Sequence, residues 1–159
     1  MQVFYVPRRQ FKKAEISLIK QRDLTGSLRK RFGFDWTKEE NYDVYKITLA
    51  GHRTILGLMS LEVIEQESRI EIKLLESAKE NIGKKKMFDR IPGCLIAFAC
   101  KLSVKKGFEG FVSLRPKTAL VAHYIKKYQL FRMGNHLAIN KNNALVLIQK
   151  YLGNDYEIN

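Results

Sequence analysis

Cysteine is scarce in this chain. Its 159 residues hold two, Cys94 and Cys100. Two thiols build no disulfide framework of the secreted kind. Six residues apart on a helix is about 600° of rotation, which points them to different sides. They are expected as buried free thiols in a reducing compartment. Histidine is nearly as rare: His52, His123 and His136 are scattered, no Cys/His pairing has metal-ligand spacing, and no metal is expected. There is no Pro/Gly/Ser linker, low-complexity tract or internal repeat, so a single domain over residues 1–159 is expected. No apolar run approaches the roughly 20 residues that cross a bilayer. The start, "MQVFYVPRRQFKK", lacks the charged-then-apolar order of a signal peptide. The expectation is a soluble cytoplasmic protein with no membrane partner.

Acidic residues are also short, 16 against 29 basic, for a formal charge of +13. Such a surface attracts anions: phosphate-rich cofactors, nucleic acid or acidic partners. It also serves solubility alone. The charge forms no tail; the longest basic runs are "RKR" at 29–31 and "KKK" at 84–86. What the chain does have is 45% hydrophobic and 11% aromatic residues, enough for a packed core.

Periodicity gives the expected elements. Residues 12–32 read as helical, with Ile16, Ile19, Leu24, Leu28 and Phe32 on one stripe and a break near Thr25-Gly26. "GFDWTKEEN" reads as a polar loop with aromatic anchors. Three strands follow. "YKITLA" alternates Tyr45, Ile47 and Leu49 with Lys46 and Thr48; "TILGLMSLEVIEQ" carries Gly57 as a candidate bulge; "RIEIKLL" alternates Ile70, Ile72 and Leu74 with Glu71 and Lys73. Short turns between them predict an antiparallel meander. After "KKKMFDRIPG", Leu95, Phe98, Ala99 and Leu102 take helical spacing, with Pro92 early in the helix and Gly107 as its stop. "FEGFVSL" at 108–114 is the next strand, and the crossover makes it a parallel neighbour of "RIEIKLL". A helix over 117–128, a hairpin turning at Gly134-Asn135, and a last helix capped by Asn142 or Asn143 complete the chain. The fold class is α+β: a central twisted mixed sheet with an antiparallel meander, one parallel pair and helices on both faces.

This order and these residues resemble the GNAT superfamily of acyl-CoA-dependent N-acetyltransferases, over roughly residues 42 to 133. "ILGLMSL" is similar to its third strand, "RIEIKLLE" to its fourth, and "HYIKKYQLF" to its Tyr-x-x-x-Gly-Phe element, with Gln129-Leu130 where Gly-Phe is usual. The family's Gln/Arg-x-x-Gly-x-Gly/Ala loop falls on Met87, Phe88, Asp89, Arg90, Ile91 and Pro92, with Arg90 and Pro92 at the glycine positions and Gly93 one place late. In the family, backbone N–H groups of this loop hold the pyrophosphate of acetyl-CoA. Here Lys84, Lys85, Lys86 and Arg90 add charge, while Pro92 removes a donor.

The resemblance implies further roles. Backbone amides of Leu74, Leu75 and Glu76 would meet the acetyl carbonyl. Tyr124 would protonate the departing thiolate. Glu71, Glu76 or Glu62 would serve as base, and Lys117, with Thr118 beside it, stands where an asparagine is common. His123 projects away from Tyr124 and reads as a surface residue. The implied reaction is transfer of acetyl from acetyl-CoA to an amine acceptor by direct attack. Two alternatives stay open. One is an inactive binding or regulatory module on the same fold. The other is a nucleic-acid binder or an enzyme for an RNA-linked amine, since "FYVPRRQFKK" and "SLRKRFGFDW" interleave aromatic and basic residues. An edge strand in the last hairpin leaves a homodimer open.

Overall fold

In the computed structural model, residues 1–116, 120–153 and 156–158 are described. They form nine strands in one mixed sheet and four α-helices. The strands are β1 (Gln2–Tyr5), β2 (Gln10–Leu18), β3 (Asp43–Leu49), β4 (Ile55–Ile64), β5 (Arg69–Ser77), β6 (Phe88–Asp89), β7 (Val112–Leu114), β8 (Phe131–Met133) and β9 (His136–Ile139). The helices are α1 (Gly26–Arg31), α2 (Ile91–Lys105), α3 (Val121–Tyr128) and α4 (Lys141–Tyr151). The strand order is β6-β1-β2-β3-β4-β5-β7-β9-β8. β5 and β7 run parallel, as the crossover through α2 requires. The other described pairings are antiparallel. The chain groups into two compact units, Met1–Ser60 with Leu74–Leu95, and Leu61–Lys73 with Ile96–Asn159. Among the described residues no helix is long and apolar enough to cross a membrane.

The first unit corrects the helix expected from residue 12. Residues 10–18 are a strand, paired over four residues with β1 and over five with β3. Ala14 and Ile16 alternate with Glu15 and Ser17, so the same apolar positions fit a period of two. Phe4 meets Phe11 across the hairpin at 5.1 Å, and the ladder with β3 decides for the strand. Only α1 remains of the expected helical start. Beyond it, Leu28, Phe32, Trp36, Val44, Ile55, Leu58 and Ala78 make a core. The polar side of β3 is corrected too. Lys46 and Thr48 are buried, and the Lys46 ammonium is 2.6 Å from the Asp23 carboxylate, which makes that burial tolerable. Gly57 is a site of close approach: a Cβ there would lie 2.5 Å from Ile91 Cγ2.

In the second unit, Ile70, Ile72, Val112, Leu114, Leu137 and Ile139 are all buried apolar residues of the β5, β7 and β9 ladder. The alternate register row holds Glu71, Ser113 and Ala138. The strand expected at 108–114 shortens to β7, because Glu109 and Gly110 take φ of 57° and 83° and turn the chain. Helix α3 is described from Val121, and Lys117, Thr118 and Ala119 lie outside the described residues. The cap of α4 is Asn140 rather than Asn142 or Asn143; its side chain accepts from the Asn143 N–H at 3.0 Å. Tyr124, Tyr128 and Tyr151 form a buried ring series, with centroids 5.7 and 6.2 Å apart. Both cysteines are buried and form no disulfide, and burial pushes the Cys94 thiol up to about 11 and Cys100 further still.

Candidate functional site

The loop ahead of α2 is built in the first unit. Gly83 turns the chain at φ 82°, and Lys84 and Lys85 extend into solvent. Phe88 and Asp89 then pair with Tyr5 and Phe4 as β6, a two-residue strand with no signal of its own in the sequence. The Val6 N–H donates to the Met87 carbonyl at 2.9 Å. Asn81 braces the other side: its Oδ1 accepts from the Phe88 N–H at 3.1 Å, and its Nδ2 donates to the Leu56 carbonyl at 3.2 Å.

Arg90 comes next, with φ of 77°, the left-handed backbone a glycine would take without strain. Its carbonyl accepts from Cys94 N–H at 2.9 Å and so opens α2. Its guanidinium turns away from the helix start, donating to the Gln2 carbonyl at 3.3 Å and stacking 5.6 Å above the Phe11 ring. Asp89 accepts from the Arg90 N–H at 2.8 Å and from Lys86 Nζ at 3.0 Å. The first helical amides belong to Ile91 and Gly93, with Pro92 between them offering none. A helix start with free amides favours an anion. Asp89 opposes it.

Along β5, the parallel ladder with β7 consists of Ile70 with Val112, Glu71 with Ser113, and Ile72 with Leu114; β5 then continues to Ser77. Leu74, Leu75 and Glu76 are partly buried on that continuation. The Glu76 carboxylate accepts from the backbone N–H of Gly33, from that of Phe34 at 3.3 Å, and from the Trp36 indole at 2.8 Å. Those three donors tie the Glu76 carboxylate to the 33–36 segment.

Glu71 is different. It is buried, and its Oε1 lies 2.7 Å from His136 Nε2 while its Oε2 lies 3.2 Å from Lys73 Nζ. Burial pushes its carboxyl up, but the hydrogen bonds from His136 and Lys73 and the charges of Lys73 and Arg69 prevail and hold it below its ordinary value. Arg69 also donates to Ser113 Oγ, and Glu62 stands 3.6 Å from Lys73. Arg115 Nε approaches the same His136 nitrogen at 3.3 Å. His136 was absent from the sequence-derived candidates. It lies 65 residues from Glu71, and only the strand order β5-β7-β9 brings the two together.

Tyr124 is buried on α3, and that burial raises its phenol above the ordinary value. Its ring lies 5.9 Å from the exposed His123 and 5.7 Å from Tyr128. No described residue hydrogen-bonds its hydroxyl. Among the described residues there is no group of three His, Cys, Asp or Glu side chains that would hold a metal.

No protein-family model matches the chain, and no curated protein matches it in sequence. Solved structures do match in shape. The toxin AtaT, in a mutant form bound to the C-terminus of the antitoxin AtaR and acetyl-CoA, superposes with a TM-score of 0.60 at 12% identity, covering 86% of this chain and 99% of that one. AtaT complexed with acetyl-methionyl-tRNAfMet gives 0.59 at 11% identity, covering 85% and 99%. The spermidine/spermine N-acetyltransferase SpeG from Vibrio cholerae gives 0.58 at 13% identity, covering 84% and 97%. At such identities the likeness establishes the fold.

Proposed function

We propose that this chain, whose fold is that of the GNAT acetyltransferases, transfers an acetyl group from acetyl-CoA to an amine. The observation that carries the reading is the loop ahead of α2. It sits between parallel neighbours β5 and β7 in chain order, and its Arg90 adopts the backbone of the glycine it replaces. The residues fit a diphosphate: the amides of Ile91 and Gly93, the charges of Lys84 and Lys85, and Lys86 where Asp89 releases it. Met87, Phe88 and Pro92 would shape the loop. Amides of Leu74, Leu75 and Glu76 would polarise the acetyl carbonyl, where oriented donors stabilise developing negative charge. Tyr124 would give its proton to the leaving thiolate. A phenol is a weak acid, suited to a thiolate whose own pKa is about 8.5.

Thermal melting with acetyl-CoA is the first test. Saturation at 100 Kd adds about 2.7 kcal/mol, or roughly 5–11 °C for a chain of this size. CoA release over a panel of amines then reads turnover, and Tyr124→Phe is expected to lower kcat about 100-fold with acetyl-CoA affinity retained. No shift at millimolar acetyl-CoA refutes the reading and leaves the binding-module alternative. A shift without turnover on any amine does the same for catalysis.

The likeness to AtaT in complex with acetyl-methionyl-tRNAfMet, with the charge of +13, favours a second reading of the acceptor, as an RNA-linked amine. Phe11 is exposed on β2 between Gln10 and Lys12, just past the turn that ends at Arg9, a pattern suited to stacking with phosphate contact. Aminoacyl-tRNA as acceptor, with affinity falling steeply as salt rises, supports it; free polyamines turning over faster than aminoacyl-tRNA exclude it.

A further inference from the structure

We infer that His136 is the general base of the proposed acyl transfer and that Glu71 positions it. The inference rests on the acetyltransferase reading and assigns its missing proton acceptor.

The geometry fixes which nitrogen acts. Glu71 Oε1 is 2.7 Å from His136 Nε2, and Glu71 is held ionised, so Nε2 carries the hydrogen and donates it. Arg115 Nε–H points at the same nitrogen from 3.3 Å; with Nε2 donating to Glu71 it finds no acceptor there, and the shorter contact to the carboxylate decides the tautomer. The basic lone pair therefore sits on Nδ1, and no described residue bonds Nδ1. This is the logic of a carboxylate that sets a histidine's tautomer and stabilises its cation. The His136 side chain keeps 16% of its surface open and Glu71 11%, so the contact between them is largely shielded from water.

The cluster also has the right charge to keep Glu71 ionised. Arg69 and Lys73 flank it on β5, at 3.8 and 3.2 Å, and Arg115 follows β7. Glu67 takes Arg69, and Glu62 of β4 lies beside Lys73. Ser113 is the neutral neighbour on β7. The pair stands where the β5–β7 ladder ends, at Ile72 and Leu114; His136 precedes Leu137, the partner of Leu114 on β9.

The step balances as follows. The neutral amine nitrogen attacks the acetyl carbonyl carbon, and the C–N bond forms. Its N–H proton passes to His136 Nδ1. The C–S bond breaks, and the thiolate takes a proton from Tyr124. Water returns a proton to the phenolate and removes one from the imidazolium. The products are an N-acetyl amine and CoA thiol.

The test uses the full chain, acetyl-CoA, and CoA release with spermidine, a lysine peptide and methionyl-tRNA as acceptors. The native rate is expected to fall as pH drops and the base is protonated. His136→Gln can place its amide N–H where Nε2 donates to Glu71 but supplies no base. It is expected to lose at least 100-fold in kcat and the acid limb of the profile, with acetyl-CoA affinity and melting temperature retained. In His136→Ala, added imidazole restores part of the rate. Glu71→Gln is expected to lose about 10-fold and to move the acid limb rather than abolish it. His136→Gln with a native rate, or with its acid limb unmoved, overturns the assignment and leaves the acyl-transfer reading standing. No thioester cleavage by the native chain with any of these acceptors overturns both.

Discussion

Glu76→Gln separates a structural carboxylate from a catalytic one. Three donors converge on Glu76: the N–H groups of Gly33 and Phe34 and the Trp36 indole. Hydrogen bonds to an ionised acceptor contribute about 1.5–3 kcal/mol each in favourable cases, and the Phe34 contact at 3.3 Å is the weakest of the three. Gly33 is exposed, so its share is small. Glutamine keeps the volume and one acceptor oxygen but turns an NH2 toward N–H groups, so the expected loss is about 2 kcal/mol. Alanine strands the buried Trp36 indole and is expected to cost about 3 kcal/mol. For this chain length each kcal/mol moves Tm by about 2–4 °C, giving roughly 4–8 °C for glutamine and 6–12 °C for alanine. The assay is thermal unfolding followed by circular dichroism and by fluorescence of the single tryptophan, whose emission is expected to shift to the red in the alanine variant. Turnover below the melting range should stay within severalfold of native. Melting within about 1 °C of native, with unchanged emission, refutes the anchoring role. A 100-fold loss of kcat at native stability restores Glu76 as the base.

Gly57→Ala places a methyl 2.5 Å from Ile91 Cγ2 and 3.2 Å from the Glu76 carbonyl; urea unfolding is expected to show a loss of about 1–3 kcal/mol. The two thiols, both buried and raised, are expected to resist iodoacetamide at pH 8 in the native chain and to react fully once it is unfolded. Glu71 has a folded pKa below its unfolded one, so its ionised form stabilises the fold above the ordinary carboxylate range and that contribution disappears as pH falls through the folded value. Glu71→Gln should therefore flatten the acid side of the stability profile measured by urea melts.

What the sequence made legible follows from what each signal depends on. The meander, the crossover and the Gly134 hairpin rest on local periodicity and turn chemistry, and they stand in β3 to β5, α2 and β7 to β9. The N-terminal hairpin did not. A stripe of Ile16, Ile19, Leu24, Leu28 and Phe32 fits a helix by spacing, and only pairing with β3 resolves it as a strand up to Leu18. Lys46 misled in the same way, since its partner Asp23 lies 23 residues away. Glu76 and Glu71 looked alike as strand carboxylates. One is bound by the 33–36 segment and the other by His136, 40-odd and 65 residues distant in the chain. Long-range partners decide a side chain's chemistry, and a linear pattern does not contain them.

The loop ahead of α2 shows the converse case, where a residue other than glycine takes left-handed backbone. Glycine in such loops supplies left-handed backbone and close approach. Arg90 reaches φ 77° with a Cβ in place, at a cost on the order of 1–2 kcal/mol. Two contacts of its own side chain, to the Gln2 carbonyl and the Phe11 ring, offset part of that cost, and both belong to the N-terminal hairpin that the motif ignores. The Asp89 carboxylate, bonded to the Arg90 N–H, holds the same turn from within. The conformation that a family motif encodes in one residue type is here assembled from four residues on three strands and a helix start. A search for glycine at position 90 therefore misses the loop, while chain order between β5 and α2 finds it.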